Sequence, residues 1–205
     1  VPTERLQPVY EPSQKLRSNA TRLVVGAGTG FNAAALFQTP AGFHVGTGEC
    51  GHSTLPVETE DELRLWNYLA LNRGRASVER ALSGSGLKEI HEWYCLEQGL
   101  SPRDLSPAEI AERANSGSDP LCVSAARQWV TFLGRVIGDL SLVFLSLGGI
   151  VLTGGVTRSL ARFLAEPEFI NAFCAKGRQQ KLVSGIPVHL LDDDFAALAG
   201  CASRM

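Results

Sequence analysis

The chain has 205 residues, 44% of them hydrophobic and 20% charged, the balance of a globular protein that buries a real core. Its net charge is −2 and its pI about 6.1, with no basic run of five residues or more, so binding to nucleic acid has little electrostatic footing. Five scattered cysteines (Cys50, Cys95, Cys122, Cys174 and Cys201) lack C-x-x-C spacing, which argues against a disulfide framework and a structural zinc site and fits a reducing cytoplasm.

Residues 1–20 are polar and carry Pro2, Pro8 and Pro12, so they read as a linker or arm ahead of a domain over 21–205. The chain opens on Val1 with no signal or transit pattern and reads as the inside of a longer protein. Three short apolar runs follow over 22–25, 33–38 and 42–45, separated by Gly26-Ala27-Gly28-Thr29-Gly30 and Pro40-Ala41-Gly42. No helix-length segment separates them, so they read as an antiparallel meander.

The middle of the chain is helical. Thr59-Glu60-Asp61-Glu62 has the form of a capping box, opening a helix with Leu63, Trp66 and Leu69 on one face. Ser77 caps a short helix through Leu82, and Gly84 begins another reaching about Gln98. Ser106-Pro107-Ala108-Glu109 is a second capping box with proline at the first helical position. Asp119-Pro120 repeats the cap-plus-proline signal for a long helix to about Phe144, whose apolar face carries Trp129, Leu133, Val136, Ile137, Leu140 and Phe144. The most apolar stretch, 140–152, is shorter than a membrane span and closely follows Arg135 and Asp139, so it reads as a buried helix end and a buried strand.

The pattern then turns to strand–turn–helix. A strand over 149–153 leads into the tight turn Gly154-Gly155, and Thr157 reads as the cap of a helix to Leu164. A helix over 166–175, a strand over 186–191 and a helix over 194–202 complete the chain. Strands first and alternating elements later give an α/β layer structure.

Two segments carry chemistry. In Gly26-Ala27-Gly28-Thr29-Gly30 the glycines remove Cβ atoms that would keep backbone N–H groups away from a phosphate. In Gly48-Glu49-Cys50-Gly51-His52 a carboxylate and an imidazole stand three residues apart, a pairing suited to gripping hydroxyl groups. A Rossmann loop would need its third glycine where Phe31 stands, a P-loop would need Gly-Lys-Ser/Thr, and a serine hydrolase would need G-x-S-x-G; none of these is present.

These segments, with Ser77-Val78-Glu79-Arg80-Ala81-Leu82-Ser83-Gly84-Ser85-Gly86-Leu87, Thr153-Gly154-Gly155-Val156 and Lys176-Gly177-Arg178, stand in an order and spacing that resemble the bacterial glucokinase family of the actin/hexokinase/Hsp70 superfamily. The match runs from about Leu23 to Gly200 and looks like that family's large C-terminal domain. The resemblance implies an actin-like ATPase (ribonuclease H-like) fold: a mixed sheet flanked by helices, with an added helical subdomain. It implies transfer of a phosphoryl group from ATP, with Mg²⁺, to glucose, in a cytoplasmic homodimer that needs neither nucleic acid nor membrane. Gly26, Gly28, Thr29 and Gly30 resemble the phosphate loop, Gly154 and Gly155 the adenosine-side loop, and Glu49, His52 and Glu79 the sugar-binding residues. Ser83-Gly84 and the helix after it would border the nucleotide as well.

Three departures stand out. Cys50 occupies a position that is usually glycine, and Phe31-Asn32 replaces the usual Leu-Gly. The family's Asp-x-Gly-Gly-Thr loop and its Asn-Asp pair, whose aspartate is the general base, are absent, so no residue of this chain is assigned as catalytic. Cys50 and Phe31-Asn32 also motivate an alternative, a non-catalytic sugar-sensing or regulatory glucokinase-like domain. The related repressor/open-reading-frame/kinase family shares the Gly-Glu-x-Gly-His core but usually follows it with a cysteine cluster, which this chain lacks.

Overall fold

A computed structural model describes residues 5–12 and 20–193. Among these residues six strands form one mixed sheet: β1 (Leu6–Tyr10), β2 (Arg22–Ala27), β3 (Phe31–Thr39), β4 (Gly42–Gly46), β5 (Ile150–Thr153) and β6 (Val188–Leu191). Their order is β1-β6-β5-β2-β3-β4. β2, β3 and β4 are the expected antiparallel meander, with Ala27 opposite Phe31 at the first turn and Thr39 opposite Gly42 at the second. β2 pairs in parallel with β5, and β5 in parallel with β6.

Residues 6–10, read as part of an arm, instead form an edge strand antiparallel to β6, with a register shift between Pro8 and Tyr10. Pro8 has no N–H to give a ladder and is tolerated because, among the described strands, β1 has a neighbour on one side only.

Nine helices are described: α1 (Glu60–Arg73), α2 (Val78–Ala81), α3 (Gly84–Glu97), α4 (Pro107–Ser116), α5 (Pro120–Phe144), α6 (Gly155–Ser159), α7 (Ala161–Leu164), α8 (Pro167–Cys174) and α9 (Gln180–Val183). The start signals act locally. Thr59 and Glu62 close a reciprocal capping box on α1, and Ser106 and Glu109 do the same on α4. Asp119 accepts N–H bonds from Leu121 and Cys122 at the start of α5. The helix expected over 194–202 lies outside the described residues.

Two details differ from the sequence reading. On α1 the buried side is Glu62, Leu65 and Leu69, while Leu63 is exposed, because a carboxylate occupies the inward position that an apolar count passes over. Thr157 does not cap a helix: α6 starts at Gly155, and the Thr157 hydroxyl inside it donates to Ala27 O at 3.1 Å.

The core lies between one face of the sheet and α5, whose Trp129, Phe132 and Leu133 are fully buried among α3, α4 and α8. Burying each such side chain contributes about 2–3 kcal/mol. α8 crosses α5 closely: a Cβ on Gly134 would stand 2.4 Å from Phe169 O, and one on Gly138 would stand 2.6 Å from Phe173 O. No described helix is long and apolar enough to cross a membrane.

Candidate functional site

β2 and β5 run side by side in parallel, so the loops after Ala27 and Thr153 emerge together at their carboxyl ends. In open α/β sheets this is where ligands are held. A cleft of about 600 Å³ opens there, lined by Gly28 and Thr29 from the first loop and by Gly154, Gly155, Val156 and Ser159 from the second, with Gly84, Pro107 and Ala108 completing the wall. Gly84 and Pro107 are the first residues of α3 and α4, so two helices of 14 and 10 residues begin at the cleft. Helix N-termini carry partial positive charge and favour anions. Among the described residues no lysine or arginine lines the cleft, whose walls offer backbone amides, hydroxyls and helix ends.

The two loops are packed backbone to backbone. Gly154 has φ +108°, and a Cβ there would stand 2.2 Å from Ala27 O, so glycine is required on both counts. Gly84 N–H donates to Gly28 O at 2.8 Å, fastening α3 to the first loop.

Of the expected nucleotide residues, Gly28, Thr29, Gly154 and Gly155 line the cleft, whereas Gly26 and Gly30 do not. Gly26 is a strand residue of β2, opposite Asn32 and beside Thr153. Gly28 N–H donates to Gly30 O at 2.9 Å, which leaves Thr29 and Gly30 as the loop's amides not engaged by backbone. The missing Cβ of Gly30 has a different use: the Glu79 carboxylate fills its place, with Oε2 2.6 Å from where that Cβ would stand.

Glu79 lies in the first turn of α2. Its Oε2 accepts the Phe31 N–H at 3.0 Å, so the carboxylate braces the end of the glycine loop. A 3-10 turn over Cys50–His52 carries the other pair. Glu49 Oε2 and His52 Nε2 are 3.9 Å apart, with side chains 80% and 67% exposed. This turn sits directly on the brace: a Cβ on Gly51 would be 2.2 Å from Phe31 O and 3.2 Å from Glu79 Cβ. Val78 N–H donates to Ser53 O at 2.9 Å, stitching α2 to the same turn. Glu49 and His52 therefore face solvent together, above Glu79. Carboxylates accept from sugar hydroxyls, and a neutral imidazole donates to one or accepts from one.

Sequence reasoning missed Pro107, Ala108, Val156 and Ser159 as cleft residues. Pro107 and Ala108 stood out only as a helix start, and nothing in their spacing relates them to Gly28. Asn32 stood out as a departure from a pattern, with no role attached. In the structure its side chain reaches the Glu49 loop.

Among the described residues, His91, Asp119 and Cys122 form a group whose possible metal donors lie within 4.8 Å of one another. None lines the cleft. Asp119 Oδ1 is already taken by the N–H groups of Leu121 and Cys122, and burial foremost pushes the Cys122 thiol up to about 12. The cleft itself offers no carboxylate to Mg²⁺, so no residue of this chain is assigned to hold that ion.

A family model for glucokinase matches residues 3–205. The chain belongs to the glucokinase family. It is 34% identical to a glucokinase of Chromobacterium violaceum over 92% of this chain and 54% of that protein. Against a glucokinase of Nitrobacter hamburgensis the identity is 38%, over 88% of this chain and 56% of the relative. The chain thus spans about half the length of the curated relatives it matches. The crystal structure of a glucokinase from an Antarctic psychrotroph superposes with a TM-score of 0.89 at 28% identity, covering 100% of this chain and 63% of that one. The α/β architecture with its mixed sheet is the actin-like ATPase fold that the resemblance implied.

Proposed function

We propose that this chain is the large domain of an enzyme that phosphorylates glucose with ATP to give glucose 6-phosphate. The observation that carries the reading is Glu79, whose carboxylate is bonded to the glycine loop at Phe31 N–H and lies under the turn bearing Glu49 and His52. One side chain thereby joins a phosphate-type loop to a hydroxyl-type cluster. Glu49, His52 and Glu79 would hold the sugar, and Thr29 with Gly30 would face the terminal phosphates. The backbone at Gly154 and Gly155 would lie against the adenosine side.

In the transfer, the 6-hydroxyl oxygen of glucose bonds to the γ-phosphorus, the bond to the β–γ bridging oxygen breaks, and ADP leaves. The hydroxyl proton goes to an aspartate outside this chain, in a domain with the Asp-x-Gly-Gly-Thr and Asn-Asp motifs. Mg²⁺ would travel with the ATP phosphates and screen their charge. The contribution of these residues is positioning and the exclusion of misaligned sugars. A cytoplasmic homodimer belongs to the same proposal; exposed Val143 and Leu145 at the end of α5 and Phe43 on β4 supply apolar surface for it.

A coupled assay for glucose 6-phosphate tests this. The 205-residue chain alone should turn over at background, and joining it to the domain with the Asn-Asp pair should raise the rate at least about a thousandfold. Robust transfer by this chain alone would overturn the assignment of the base, and no transfer by the joined protein would favour a sugar-sensing domain.

A further inference from the structure

Asn32, at the second position of β3, makes three hydrogen bonds with one carboxamide. Its Nδ2 donates to Gly48 O at 2.8 Å, while its Oδ1 accepts from Cys50 N–H at 3.2 Å and from its neighbour Ala33 N–H at 2.8 Å. The first two bonds fall on the residues immediately before and after Glu49. The carboxamide therefore spans the base of the loop that presents this carboxylate, whose side chain is 80% exposed and, among the described residues, pairs with His52 Nε2 at 3.9 Å.

The rest of the turn is held from its other end. Ser53 N–H donates to Cys50 O at 3.1 Å, and Gly51 packs its backbone against Phe31 O. These contacts fix residues 50–53, and His52 N–H donates to Glu49 O at 3.1 Å, while Gly48 O and Cys50 N–H are held by Asn32. A glycine at position 32 would give the sheet the same backbone and remove both bonds to the loop. The Cys50 side chain adds no comparable tie, since its Sγ lies 4.0 Å from Ala33 O.

We infer that Asn32 is a positioning residue for the sugar site: it fixes the backbone on both sides of Glu49 so that the carboxylate is already aimed when the sugar arrives. The inference rests on the sugar-binding role of Glu49 proposed above. Ordering a loop before binding removes the entropy cost of ordering it on binding, so the effect belongs in sugar affinity. ATP meets the other face of the glycine loop and should not sense it.

The test compares the 205-residue chain with its Asn32→Ala, Asn32→Gly and Asn32→Asp variants by amide hydrogen exchange, glucose titration and titration of an unreactive ATP analogue. In Asn32→Ala and Asn32→Gly the Cys50 amide should exchange roughly fivefold faster while amides of β2 and β5 are unchanged. Glucose affinity should fall about tenfold, and that for the ATP analogue should stay within about twofold. Asn32→Asp keeps the acceptor for Cys50 N–H and loses the donor to Gly48 O, so it should restore Cys50 protection and recover glucose affinity only in part. Equal glucose affinity in the parent and in Asn32→Ala would overturn this inference while leaving the sugar site intact. A parent chain with no glucose affinity would overturn the sugar-binding reading and this inference with it.

Discussion

Gly154 and Gly155 are neighbours in one loop, and their backbones make opposite demands. Gly154 has φ +108°, and a Cβ there meets Ala27 O at 2.2 Å; a Cβ on Gly155 meets nothing within 4 Å. Gly154→Ala should therefore cost about 3 kcal/mol, the sum of a forced backbone angle and a clash with main chain. Gly155→Ala should change stability by less than about 0.5 kcal/mol. Urea denaturation of both variants checks this, and equal stabilities would contradict the packing described for the two loops. At this scale the motif residues were legible because glycine and charge leave strong marks in a sequence. The partners were not: that Glu79 would accept from Phe31 N–H, or fill the space a Gly30 Cβ would take, depends on a fold that brings α2 onto β3.

Helix starts were legible for the same local reason. A cap such as Thr59 or Ser106 and the amide it satisfies lie within one turn, so four consecutive residues hold the whole interaction. The inward face of α1 was not legible, because its key residue is a buried carboxylate. Glu62 takes a bidentate pair from Arg135 on α5, at 2.9 and 3.1 Å, and also accepts from Glu58 N–H at 2.8 Å. Burial pushes its pKa up, but the bonds from Arg135, Glu58 N–H and Gln128 outweigh that and hold it below the ordinary carboxylate value. The unfolded chain then takes up a proton before the folded one does. The stabilisation is complete above the ordinary carboxylate pKa of about 4.3 and is lost as pH falls through the lower folded value. Glu62→Gln should cost about 3 kcal/mol at neutral pH by leaving Arg135 with the half-exposed Glu58, and should flatten this acid loss in a series of urea midpoints. An unchanged acid profile in the variant would show that the pair does not join α1 to α5 energetically.

For the molecule as a whole, the order of motifs identified the fold before any contact was known, because each motif sits at a strand end or helix start that the sheet later aligns. β1 escaped because an edge strand with a proline and polar residues lacks the alternation that marks a half-buried strand. The convergence of the cleft from four separate segments, 28–29, 84, 107–108 and 154–159, likewise follows only from the parallel pairing of β2 with β5 and the packing of α3 and α4 beside it.

The most direct test of the central claim, that Glu49, His52 and Glu79 form a sugar half-site in this chain, is calorimetric titration of glucose into the 205-residue protein and into its Glu49→Gln variant. Saturable heat at millimolar glucose that is lost in the variant is the expected result, since a carboxylate that accepts from hydroxyls is worth roughly 1.5–3 kcal/mol per bond. Glucose binding that is indifferent to Glu49→Gln would contradict it.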